Sequence, residues 1–304
     1  MRASFVKTLV ELAEKDPRIL LLTADLGFMA LEPFSEKFPS RFFNVGVAEQ
    51  NMIGMATGMA ESGFIPFVYS IATFATLRPY EFIRNGPILH QLPVRIIGIG
   101  GGFEYGHAGL THHGVDDVGA LRVQPGIKIY SPIDGQQTKT VIEKTWNSPG
   151  PIYYRLGKND KLSIPEVNGE FEEDQVQLVQ EGKDVLILSM GSITHEASMA
   201  AKALKEKGIS AKVVAVSSIN PAPVKSLINE LQNFSNVYTV EAHYINGGLG
   251  STVCEIIAEN NIPAKVTRLG VQKLTDGKSG NEHYYHDLHG LTSEKIAQKI
   301  TQHL

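Results

Sequence analysis

The segment VGVAEQNMIGMATGMAESG, residues 45–63, puts one acid among the apolar positions of a helix. Spacing predicts a helix from about Ala48 until Gly63 stops it, with Met52, Ile53, Ala56, Met59 and Ala60 on its apolar face. Glu49 precedes Met52 and Ile53 by three and four residues, which places it on that same face. Two chemistries suit such an acid. In a first helical turn the dipole favours a carboxylate, which can accept from free backbone N–H groups. Alternatively, a partly buried carboxylate holds a proton, or shares one with a basic ring nitrogen, because desolvation raises its pKa. Spacing alone leaves both open.

The elements that must position Glu49 follow from hydrophobic patterning. In the first half of the chain, helical patterns alternate with the strand-like runs RILLLTADLG, FFNVG, FIPFVYS, PVRIIGIG, GIKIYS and PIYYRLG. Such alternation implies a parallel sheet covered by helices on both faces. A polar, acidic stretch without sustained period covers residues 161–181 and suits a linker with one or two edge strands. Alternation then restarts with DVLILSMG and continues to the end. The expected fold class is therefore α/β, with two α/β domains at 1–160 and 182–304.

Bulk properties exclude several classes of function. With 304 residues the chain is long enough for two cores, and 42% hydrophobic with 20% charged residues is ordinary for a globular protein. A formal charge of −4 leaves no basic footprint for nucleic acid or membrane. The single cysteine, Cys254, rules out an internal disulfide and fits a reducing compartment. No apolar run reaches the roughly 18 residues of a membrane span. The opening MRASFVKTLVELAEKD is an amphipathic helix with both charge signs, unlike a cleaved signal. The expected location is the cytoplasm.

Two histidine-rich segments invite a metal reading. HAGLTHHGVDD offers His107, His112, His113, Asp116 and Asp117, yet adjacent histidines on a regular element cannot readily aim at one ion. NEHYYHDLHG brings His283, His286 and His289, which exposed polar positions explain adequately. No metal site is expected in either.

The ordered set TADLG, VGVAEQNMIGMATGMAESG, TFATLRPYEFIRN, LRVQPGIKIYSPID and VEAHYINGGLGSTV resembles the transketolase family over nearly the whole chain. The resemblance implies a pyrimidine-binding domain followed by a smaller transketolase C-terminal domain. It also implies thiamine diphosphate as cofactor. A glutamate at the Glu49 position contacts N1′ of the aminopyrimidine in that family. A proton there favours the imino tautomer, whose 4′-nitrogen can deprotonate the thiazolium carbon; the cofactor thus supplies the carbanion chemistry. By the same resemblance Phe74 packs on the pyrimidine, with Tyr80, or Leu77 by a shifted alignment, nearby. Asp25 matches a family acid near the cofactor, and a turn residue describes it equally well.

Half of the family's cofactor site is missing. The diphosphate and its metal are held through Gly-Asp-Gly and a downstream Asn, and this sequence contains no Gly-Asp-Gly. Diphosphate requires charge neutralisation as well as backbone N–H groups. The resemblance therefore implies a β-type subunit of a split transketolase. Its partner would be a separate N-terminal, diphosphate-binding subunit that holds Mg²⁺ or Ca²⁺, in an α2β2 heterotetramer. The substrate loop departs from the family pattern. Where transketolases carry Gly-Glu-Asp-Gly-Pro-Thr-His-Gln, residues 106–113 read GHAGLTHH. His112 matches the retained histidine, Ala108 stands for the aspartate that contacts substrate hydroxyls, and His107 and His113 replace Glu and Gln. An earlier sugar-contacting histidine falls on Ile99 or Gly100, and Met29 replaces a phosphate-contacting serine. Arg155 matches an arginine on the substrate phosphate, Arg2 a second one. For Arg155, an interfacial ion pair is the alternative. These features imply two-carbon ketol transfer with an unusual sugar or sugar phosphate. Two alternatives stay open: the β subunit of a 2-oxoacid or acetoin dehydrogenase, and a non-catalytic scaffold subunit.

Overall fold

The computed structural model describes residues 1–274 and 277–304. Helix α1 (Arg2–Lys15) buries Phe5, Val6, Leu9, Leu12 and Ala13, the stripe expected of an amphipathic helix. Six parallel strands follow: β1 (Ile19–Thr23), β2 (Phe42–Asn44), β3 (Ile65–Ile71), β4 (Arg95–Ile99), β5 (Lys128–Tyr130) and β6 (Ile152–Leu156). β1, β3, β4 and β6 are buried along their whole length. That is why they read as unbroken apolar runs rather than as alternating ones.

The connecting helices are α2 (Glu32–Lys37), α3 (Glu49–Glu61), α4 (Ala72–Thr76), α5 (Tyr80–Ile83), α6 (Asp117–Arg122) and α7 (Gly135–Thr145). One departure from expectation matters. The sequence suggests a single helix over residues 78–92, but α4 ends at Thr76, Pro79 precedes α5, and Arg84–Ile88 widens into a π-helical turn around Pro87. Proline lacks the N–H donor, and its ring clashes with the preceding turn, so the segment cannot run as one helix. The break leaves Arg78 between α4 and α5.

The second sheet contains β7 (Gln177–Gln180), β8 (Val185–Ser189) and β9 (Ala211–Ala215), then β11 and β12 below. β10 (Ser218–Asn220) leaves it and pairs antiparallel with β5, becoming the edge of the first sheet. β11 (Asn236–Tyr244) and β12 (Lys265–Val271) complete an order β12-β11-β8-β9-β7, parallel except for β7. Helices α8 (Thr194–Glu206), α9 (Val224–Leu231), α10 (Leu249–Glu259), α11 (Glu282–His289) and α12 (Ser293–His303) belong to this half. The two units are thus two α/β bodies with mostly parallel sheets. They are stitched together at 218–220, well inside the stretch that patterning assigns to the second. The linker is also anchored, because Ile164, Val167 and Phe171 are each 2% exposed and β7 lies within it.

The seam between the two bodies contains Arg155, on β6. Its Nε donates to Asp117 Oδ2 at 2.9 Å, and its Nη2 donates to the carbonyls of Gly114 at 2.8 Å and Ala242 at 2.9 Å. Tyr153 donates to the same Asp117 oxygen at 2.6 Å. Arg155 is 4% exposed and Asp117 fully buried. This geometry supports the interfacial ion-pair alternative for Arg155, whose guanidinium is engaged in a domain clasp and largely closed off from solvent. Removing one member of such a pair leaves an uncompensated buried charge, at a cost of about 3–5 kcal/mol. Asp117→Asn should lower unfolding stability by about that amount, measured by urea denaturation; a loss below about 1 kcal/mol would show that the clasp carries little.

Candidate active site

α3 begins where its sequence signals, and Glu49 is its first residue. The carboxylate is 1% exposed. Its partners are side chains: Arg78 Nη1 donates to Oε1 at 2.9 Å and to Oε2 at 3.0 Å, and Ser70 Oγ donates to Oε1 at 3.3 Å. It does not cap α3, whose N-terminus has no side-chain cap. The acid therefore faces inward, toward the carboxyl end of β3, where open α/β sheets bind ligands. Beside it lies Phe74, on α4. The Arg78 guanidinium carbon lies 3.6 Å from the centre of the Phe74 ring, and His112 meets that ring edge-on at 4.9 Å. Glu49, Phe74 and His112 are thus gathered by β3, α3, α4 and the loop after β4.

The other expected residues have surroundings of their own. Asp25 adopts φ +54°, and Asn44 ties it down at the ends of β1 and β2. The Asn44 amide donates to its carboxylate at 3.0 Å, and its own N–H donates back to Asn44 Oδ1 at 3.0 Å. The Tyr80 hydroxyl accepts from Gln124 at 2.5 Å while its ring packs on the core, and Leu77 is 38% exposed. Arg2 and Met29 share a groove of about 520 Å³ between α1 and α2, away from Glu49. His107 is exposed on a short turn. His113 departs furthest from its assignment. It is 3% exposed and packs edge-on against Phe103 at 5.1 Å and Tyr285 at 4.6 Å. Burial also pushes its pKa down. Of the tail histidines, His283 is exposed as expected, whereas His286 and His289 are not. His286 is buried, with a pKa driven down to about 4 by desolvation, and His289 stacks on Phe103 at 5.2 Å.

Two domain models match the chain: transketolase, pyrimidine binding domain, over residues 1–161, and transketolase, C-terminal domain, over 174–296. The chain belongs to the transketolase family. Among relatives, an apulose-4-phosphate transketolase subunit of Phocaeicola vulgatus is 34% identical over 302 residues, covering 98% of this chain and 95% of the relative. A 6-deoxy-6-sulfo-D-fructose transketolase subunit of a Clostridium species is 34% identical over 306 residues, with 99% and 94% covered. A solved structure titled as a split gene transketolase, an inactive beta4 tetramer, superposes with TM-score 0.89 at 34% identity, covering 99% of this chain and 97% of that one.

For a transketolase-family site, the residues fit the aminopyrimidine half of thiamine diphosphate. A buried carboxylate adjoins an aromatic face, and a planar nitrogen cation of the protein already makes both contacts. No group of three or more His, Cys, Asp or Glu among the described residues is placed to hold a metal. The residue that patterning passed over is Arg78. Its signal was present, since a residue four positions after Phe74 lies over it on a helical turn, and arginine stacks on aromatic faces.

Behind the site, the VEAHYINGGLG segment forms a second buried polar group. Glu241 accepts from the N–H groups of Leu249 at 2.8 Å and Gly250 at 2.9 Å, at the start of α10. Burial nevertheless lifts its pKa to about 7. His243 accepts at Nε2 from the Gly119 N–H at 3.1 Å and donates from Nδ1 to the Tyr244 carbonyl at 2.6 Å. Those bonds specify the neutral ring, and desolvation lowers its pKa from 6.5 to about 4. The unfolded chain therefore takes up this proton first as pH falls, and stability drains between pH 6.5 and 4. Relative to His243→Asn, the wild type should lose about 3 kcal/mol more across that window. Urea titrations at stepped pH test this, and a pH-independent difference would refute it.

Proposed function

We propose that the chain is the β-type subunit of a thiamine diphosphate-dependent transketolase. Paired with a separate diphosphate-binding subunit, it would transfer a two-carbon ketol unit from a ketose to an aldose. The observation that supports this best is the buried Glu49 carboxylate, turned away from its own helix end and set beside Phe74. The bound cofactor would supply the carbanion chemistry of the transfer. In this reading Glu49 holds a proton at a carboxylate oxygen facing the ring nitrogen, and Phe74 orients the ring. Ser70 donates to Glu49 Oε1 and keeps the carboxylate aimed. The apolar residues of α3 exclude water from the proton position, where a hydrogen bond is worth more than in bulk.

The partner is proposed to hold Mg²⁺ or Ca²⁺ and the diphosphate, in an α2β2 assembly. Phe28, Met29 and Val47 support a partner on this side: they are 90%, 86% and 70% exposed on the loops after β1 and β2, at the sheet end that carries the site. The split-gene neighbour, inactive as beta subunits alone, supports the same need. For substrate, His112 lies against Phe74 and exposed His107 occupies the same loop. Ala108 lacks the carboxylate that would read a sugar hydroxyl. With Arg155 withdrawn into the seam, an unusual ketose or ketose phosphate suits the site better than an ordinary pentose phosphate. The sugars named for the two relatives differ from each other, which fits a site that varies within the family. No helix among the described residues is long and apolar enough to cross a membrane. The cytoplasm is the proposed location.

Glu49→Gln should cut turnover of the two-chain complex by about 10²-fold or more, while sedimentation shows unchanged assembly. Unaltered turnover would return the chain to a scaffold role. Transfer from a ketose donor to an aldehyde acceptor should exceed turnover of a 2-oxoacid with a lipoyl acceptor. The reverse order would identify a 2-oxoacid dehydrogenase subunit.

A further inference from the structure

Arg78 makes both contacts that the proposed ring would need. Its Nη1 bonds the two Glu49 oxygens at 2.9 and 3.0 Å, and its guanidinium carbon lies 3.6 Å from the Phe74 centroid. Carbon atoms in contact sit about 3.5–4.0 Å apart. A second planar group therefore cannot share that face of Phe74 while the guanidinium lies on it. The side chain of Glu49 is 2% exposed and that of Arg78 39%, so the arginine lies between the carboxylate and solvent. Arg78 follows the last turn of α4 and precedes Pro79, outside any helix interior. Side-chain rotation alone can swing it outward, where water would hydrate its charge.

We propose that Arg78 is a built-in competitor for the pyrimidine half-site, occupying the position between Glu49 and Phe74 until the ring displaces it. The inference rests on the ring-binding reading of this site given above. It has two consequences. In the cofactor-free chain, Arg78 satisfies a carboxylate that would otherwise be buried without a counter-charge, which preserves the pocket. In exchange, apparent affinity for the cofactor falls by the fraction of molecules in which the pocket is open. The other geometric solution, with the ring on the opposite face of Phe74 and Arg78 left in place, makes the contrary prediction.

The test is calorimetric titration of thiamine diphosphate, with Mg²⁺ present, into the assembled two-chain complex. Arg78→Met keeps an apolar stem and removes the planar cation. It should tighten binding by about tenfold or more if the pocket is open in at most about a tenth of molecules. Arg78→Gln, as a second variant, should shift binding in the same direction. Without cofactor, the melting temperature of the isolated Met variant should fall below that of the wild type. Unchanged or weaker binding in whichever variants assemble would overturn the inference. So would a structure of the loaded wild-type complex with the guanidinium still on Phe74. Failure of the underlying reading looks different: the wild-type complex would bind no thiamine diphosphate, or Glu49→Gln would leave its affinity unchanged.

Discussion

A carboxylate cannot be taken out of water alone. Glu49 is buried at the start of α3, and that one constraint organises the site around it. An unpaired charge there would cost several kcal/mol. Ser70 from β3 and Arg78 from the break after α4 therefore converge on it, each on a different element. The break has a cause in sequence, because Pro79 and Pro87 prevent one continuous helix. A helix running on from α4 through Pro79 into α5 would carry Arg78 as an interior residue. The break instead leaves it between the two helices, with its stem reaching back across Phe74.

The same electrostatic logic holds the two bodies together. Arg155 and Asp117 neutralise each other in a buried seam, and the two Nη2 hydrogens are taken by the Gly114 and Ala242 carbonyls. Gly114 ends the histidine loop, and Ala242 lies on β11. One side chain therefore ties the end of the histidine loop, the first sheet and the second body to one point. His243 adds a second tie through the Gly119 N–H, and β10 a third through backbone pairing with β5. A relative shift of the bodies would strand buried charge and buried hydrogen-bonding groups together. The position of His112 beside Phe74 is thereby coupled to the seam, through a loop whose end is clamped.

Much of this was legible in the chain. The buried parallel strands appear as continuous apolar runs, and the stripe on α3 by itself places Glu49 inward. The glutamate, the aromatic four residues before Arg78, and the paired domains all follow from local pattern or family motif. What pattern could not show is where long polar side chains go. Arg155 and Arg78 are both arginines near motif positions, yet one is sealed in a seam and the other lies over a ring. Their fates depend on residues 38 and 29 positions away, Asp117 and Glu49. His286 and His289, buried and half-buried, illustrate the same limit. NEHYYHDLHG looks solvent-facing because its residues are polar, while Phe103, remote in sequence, supplies the apolar wall that covers them. The excursion of β10 into the first sheet was hidden for a related reason: three residues carry too little pattern to reveal their partner.

The proposed division of labour between two chains would follow from what each half of the cofactor requires. An aminopyrimidine is neutral and flat, and a pocket can take it with one acid and one aromatic face. Those can be built at the end of a buried strand with little net charge. A diphosphate with a divalent metal needs carboxylates, backbone N–H groups and a rigid loop, all converging on several charges. Among the described residues this chain has the first set and no grouping suited to the second. On that proposal, an acid kept for a ring brought by another polypeptide must stay buried and paired with something in the meantime. A long, flexible arginine at a helix break meets that need, because it can satisfy the carboxylate in the waiting state and still leave without unfolding anything.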